Sequence, residues 1–77
     1  MVILTQDEAS FYDLDKSSSI YANEDGTIYL ASYTGETIYP IGKYKNEERA
    51  KEVVKEIFAL YDVQSRYMMP VIWGFYG

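Results

Sequence analysis

A chain of 77 residues that contains neither cysteine nor histidine must hold itself together by packing alone. So short a chain buries only about 60% of the surface its unfolded form exposes, and small domains commonly add disulfides, metals or oligomerisation. Composition excludes disulfides, and zinc loses its usual ligands. What the sequence offers instead is aromatic surface: nine tyrosines, three phenylalanines and one tryptophan. Tyrosine combines a large, stiff contact area with a polar tip. Self-association is the remaining route to further burial, so a homo-oligomer is expected.

The same absences narrow function. Histidine titrates near neutrality without help, and cysteine is the readiest nucleophile. Ser17, Ser18 and Ser19 have no histidine to activate them, and no Gly-x-Ser-x-Gly elbow is present. A non-enzymatic binder with no cofactor and no metal is expected. Twelve acidic residues against seven basic ones give a net charge of -5. That balance argues against a DNA or RNA partner, whose phosphates need a basic face. Asp13 and Asp15 would share one strand face, open in principle to a divalent cation but more simply a solvated edge. No segment reaches the ~20 apolar residues needed to span a bilayer. Met1 to Glu8 lacks the basic and apolar regions of a signal peptide, so a soluble cytoplasmic protein is expected.

The patterning predicts a single α+β domain: about four or five strands in an antiparallel meander over residues 1–42, a helix over 46–62 and an apolar, aromatic tail over 63–77. Val2–Gln6 reads as a short buried strand, Ser10–Asp15 alternates poorly, and Ser17–Ala22 ends in strand formers. Asp25-Gly26 predicts a hairpin turn. Thr27–Tyr33 is the clearest strand, with Ile28 and Leu30 on one face and Tyr29, Ala31 and Tyr33 on the other. Thr34-Gly35 closes a second hairpin. Pro40 cannot donate to a ladder, so the returning strand ends there or lies at an edge. Asn46 reads as an N-cap, with Glu47 and Glu48 in the first turn. Ala50, Val53, Val54, Ile57, Phe58 and Tyr61 form a helical stripe that predicts a lid on the sheet. The tail is too apolar to be a disordered terminus, and either adds a strand or packs on another subunit.

Two groups could bind a ligand. Lys43, Tyr44 and Lys45 lead into the helix N-terminus, where backbone N–H groups favour a phosphate, although Glu47 and Glu48 oppose an anion there. Arg66 could fork a phosphate while Tyr67 and Trp73 stack a base. The plainer alternatives are a solvated connection for the first group and subunit packing for the second.

Four runs carry a family resemblance: Ile3-Leu4-Thr5-Gln6-Asp7; Ile41-Gly42-Lys43-Tyr44-Lys45; Asn46-Glu47-Glu48-Arg49-Ala50-Lys51-Glu52-Val53-Val54-Lys55-Glu56-Ile57; and Tyr67-Met68-Met69-Pro70. Together they resemble a widespread family of small proteins from Firmicutes and their phages, over nearly the whole chain. The helix start is the most specific part. The chain departs from that pattern by an extra methionine before Pro70 and by the aromatic extension Val71–Tyr76. It is also similar to the phage anti-CBASS sponge proteins. That resemblance implies a non-enzymatic, homo-oligomeric immune-evasion protein of the host cytoplasm, which sequesters a cyclic (di)nucleotide. The alternative is an acidic inhibitor or interaction module that engages a protein through its aromatic C-terminal tail.

Overall fold

The structure, a computed structural model, describes residues 1–71. Its fold class is the expected one, α+β with a meander and a single helix, and its six strands divide between two three-stranded sheets. The elements are β1 (Val2–Leu4), β2 (Phe11–Asp13), a 3-10 turn (Leu14–Lys16), β3 (Ser17–Ala22), β4 (Thr27–Ser32), β5 (Ile38–Lys43), α1 (Glu47–Leu60) and β6 (Arg66–Met68).

The meander is the sheet β3-β4-β5. Its first turn forms because the Asp25 carboxylate accepts the Thr27 N–H at 2.9 Å and Gly26 adopts φ +89°. Gly35, at φ +79°, turns the second hairpin. Pro40 lies within β5, tolerated because β5 is an edge strand. A bulge opposite Ile28 and Tyr29 leaves Ile41 as the extra residue. Ile28, Leu30 and Ile41 are buried, while Tyr29 stacks on Tyr21 on the other side, ring centroids 5.7 Å apart.

The second sheet, β2-β1-β6, is built from three-residue strands, with β1 antiparallel to β2 and parallel to β6. Ile3 and its neighbours Tyr12 and Tyr67 face inward. The tail thus adds a strand, one of the two outcomes expected for it. Asp13 and Asp15 do not share a strand face, because the chain turns into the 3-10 helix at Leu14. Asp13 caps that turn by accepting the Asp15 N–H. Asp15 in turn takes a bond from the Tyr61 hydroxyl and lies 3.2 Å from the Met1 ammonium. Those two contacts, the hydroxyl first, hold its carboxyl below the ordinary range.

Helix α1 starts as expected, with Asn46 Oδ1 accepting the Arg49 N–H at 2.9 Å. Ala50, Val53 and Ile57 are buried against the meander, with Val54 half-buried beside them. The predicted stripe is too wide by two residues. Phe58 is 84% exposed because α1 lies chiefly on β3 and β4 and this position rotates off that contact; Tyr61 is exposed because it caps the helix after Leu60 and turns its hydroxyl to Asp15. Among the described residues, no helix is long and apolar enough to cross a membrane.

The Gly26 turn makes a sharp test of this architecture. A Cβ there would stand 2.4 Å from the Tyr44 carbonyl oxygen, whereas one at Gly35 meets nothing within 4 Å. Left-handed backbone alone costs an ordinary residue about 1–3 kcal/mol. Gly26→Ala is therefore expected to lower the urea midpoint at unchanged slope, and by clearly more than Gly35→Ala.

Candidate functional site

The Thr5–Ser10 loop is tied into a fixed shape by its own polar groups. The Thr5 hydroxyl donates to Asp7 Oδ1 at 2.6 Å and accepts the Ser10 N–H at 3.2 Å. Asp7 Oδ1 also takes the Ala9 N–H at 3.0 Å, and Glu8 sits at φ 61°. The Thr5 hydroxyl first, then the Ala9 amide, lower the Asp7 carboxyl below its usual value.

This loop docks on the edge of β5. The Gln6 N–H donates to the Ile41 carbonyl at 2.9 Å, and Gln6 Oε1 accepts the Lys43 N–H at 2.6 Å. Gln6 thereby stands in for a neighbouring strand along the bulged edge, a position that would otherwise leave backbone groups unpaired. The bond from Lys43 fixes which end of the amide carries oxygen. Gln6 Nε2, shielded from solvent, has no hydrogen-bond partner among the described residues. Buried polar groups are nearly always paired, so an orphaned amide donor marks a place where an acceptor would be welcome.

Gln6 lines a cleft of about 410 Å³ with Thr5, Asp7, Tyr12, Tyr29 and Lys43 among its walls. Tyr12 lies against Tyr39 with ring centroids 5.0 Å apart, as Tyr29 does against Tyr21. The cleft therefore joins aromatic walls, hydroxyl groups, one exposed cation and the Asp7 carboxylate, with Gln6, whose amide nitrogen is covered, among its walls. Rings and polar groups of this kind are the usual makings of a small-molecule site.

Of the described residues expected from the sequence to bind ligand, only Lys43 lines this cleft. Lys45 is exposed on the connection to α1, and Arg66 lines a different hollow, on the outer side of β2-β1-β6. Tyr44 and Tyr67 do come together, but inside the core. Tyr44 is 1% exposed, donates its hydroxyl to the Pro70 carbonyl at 2.8 Å and carries the Arg49 guanidinium 5.7 Å above its ring. Tyr67 is 6% exposed and donates to Glu56 Oε1 at 2.7 Å. Their expected role as stacking platforms is corrected accordingly: packing covers both rings, so neither presents a face to a base. Trp73 lies outside the described residues.

Sequence reasoning passed over Gln6, Tyr12 and Tyr29. A polar Thr-Gln-Asp run straight after an apolar strand was the available signal, and Tyr29 stood on the outward face of the clearest strand. Among the described residues, no group of three or more acidic side chains is placed to hold a metal ion. No family model, curated protein or solved structure matches the chain.

Burial of the two inner tyrosines has a measurable consequence. Burial pushes Tyr44 up to about 12, helped by Glu56 and opposed by Arg49. Tyr67 is raised as well, by burial first and then by its bond to Glu56. A phenol whose folded value lies above its ordinary 10.0 contributes stability in full below pH 10, and that contribution is lost as pH rises. Unfolding free energy is thus expected to fall from pH 10 through about 12. In a phenolate-absorbance titration, Tyr44 and Tyr67 should ionise only as the chain unfolds; Tyr44→Phe should remove one of these late steps.

Proposed function

We propose that the chain is a non-enzymatic binding protein that sequesters a small, acceptor-rich anion of the cyclic nucleotide class. It acts as a homo-oligomer in the cytoplasm, as a phage-type immune-evasion protein. The observation that carries this reading is the unpaired Gln6 amide in a cleft with Lys43 and the rings of Tyr12 and Tyr29. A cleft of about 410 Å³ falls within the ~300–1,000 Å³ range of small-molecule sites. Stacking of a base on an aromatic ring contributes about 1–3 kcal/mol, and an ammonium adds a charge-assisted contact to phosphate. Stoichiometric capture requires no group that makes or breaks a bond, which suits a chain without histidine or cysteine. The resemblance of the Ile3–Asp7 and Ile41–Ile57 runs to small Firmicutes and phage proteins, and of the chain's layout to phage sponge proteins, points the same way.

A second reading has its own support. Phe58, Tyr61 and Val63 are exposed together near the end of α1, on a chain of net charge -5. An acidic module with such a patch could block a basic protein, with the aromatic C-terminal tail extending the contact.

The melting temperature, measured against a panel of cyclic di- and trinucleotides, separates the two readings. At ~100 times the dissociation constant a native-state ligand adds about 2.7 kcal/mol of stability. One or two members of the panel are expected to raise the transition by several degrees and to be recovered unchanged. Gln6→Glu keeps the acceptor that Lys43 uses but replaces the amide donor with a repelling oxygen, and should abolish the shift; the melting temperature of the unliganded variant reads the separate cost of covering a carboxylate there. Lys43→Ala should weaken binding about tenfold or more, the usual scale of a lost charge-assisted bond. No shift for any member would sink the nucleotide reading and favour the protein partner.

A further inference from the structure

The outer side of the β2-β1-β6 sheet carries a pattern that the ligand cleft does not use. Cross-strand partners project to one side, so the register sets Phe11, Leu4 and Met68 in one row and Asp13, Val2 and Arg66 in the next. Phe11 and Met68 are 72% and 65% exposed, and Leu4 and Val2 are half-buried between them. These side chains line a hollow of about 490 Å³ that is largely apolar. Asp13 and Arg66 sit at opposite ends of their row. Val2 stands between them, so two strand spacings of about 4.8 Å separate Asp13 from Arg66. Among the described residues, Arg66 makes no ion pair.

We propose that this face is a self-association surface whose occupant is a second copy of the chain. A two-fold axis running along the strands lays one face on the other and reverses the order across the strands. Each Arg66 then meets Asp13 of the second copy, Leu4 meets Leu4, and each Phe11 meets Met68, a thioether-on-ring contact. An axis across the strands would set the charged row against the apolar row, burying charge against hydrocarbon, so the charges select the first arrangement. The face is complementary to itself, one charge of each sign flanking Val2, and this favours a second copy over an unrelated partner. Two sheets packed in this way lie about 10 Å apart, near enough for these rows to interdigitate. The surface is separate from the Gln6 cleft, so ligand capture by the cleft and self-association through this face are tested independently, while the homo-oligomer in the functional reading rests on the second.

Analytical ultracentrifugation of the full chain across the micromolar range tests the proposal. Wild-type protein is expected to dimerise. Arg66→Asp and Asp13→Arg should each weaken the dimer about tenfold or more, the scale on which unpaired interfacial charges act. The exchanged variant carrying both substitutions should recover most of that loss, which damage to the fold would not do. Asp13 also caps the 3-10 turn, so Met68→Lys provides an independent arm at an exposed position and should abolish the dimer without lowering the melting temperature of the monomer. A monomer at every concentration overturns the proposal and leaves the face to another occupant, such as residues 72–77 or a different protein. A dimer indifferent to Arg66→Asp and Met68→Lys overturns it equally.

Discussion

The hydrogen bond from the Tyr44 hydroxyl to the Pro70 carbonyl joins the two halves of this molecule. Tyr44 follows the last strand of the meander, and its own N–H donates to the Gly26 carbonyl, so one residue pins a hairpin turn, the helix connection and the C-terminal segment. A phenol buried without a partner would cost about 1–3 kcal/mol, so the ring settles there only because β6 delivers an acceptor. Arg49 closes over the ring from the first turn of α1. With no disulfide or metal to fall back on, junctions of this kind do the work of covalent staples.

What could be read in the sequence was what is encoded locally. Asp25-Gly26 and Thr34-Gly35 specify turns through their own backbone preferences, and Asn46 with Glu47 specifies a helix start through its own side chains. The pairing within β2-β1-β6 was illegible for the opposite reason, although Val2–Gln6 reads as a strand and the tail as one that can join a sheet. Three strands of three residues carry almost no periodicity, and β1 pairs with a segment more than sixty positions away. The tyrosines were ambiguous in another sense. A ring with a polar tip suits an inner face if an acceptor waits there and an outer face if none does. The acceptors for Tyr44 and Tyr67, the Pro70 carbonyl and Glu56, come from distant elements. Phe58 misled for the same reason, since a helical stripe records which residues could be buried and the neighbouring sheet decides how many are.

Gln6 ties the candidate site to the fold. The bulge at Ile41 and the edge position of β5 create backbone groups in need of partners, and Gln6 supplies one donor and one acceptor to meet them. Its remaining amide hydrogens are left over from that structural task. On the proposed reading, edge repair and ligand recognition use the two ends of one side chain, and the loop that holds it is stiffened by Thr5 and Asp7. A preorganised donor loses little freedom on binding, which favours tight capture by a small protein.

The parallel pairing of β1 with β6 also sets the order in which the molecule can be made. The meander and α1 are contiguous over residues 17–60 and can begin to form as soon as they are available. Val2–Leu4 lies between β2 and β6, and its second flank stays open until Arg66–Met68 arrives. Closing so long a loop is entropically slow compared with zipping a hairpin. The earliest strand of the chain is therefore among the last to be completed, and the shutting of the core coincides with the docking of its final strand.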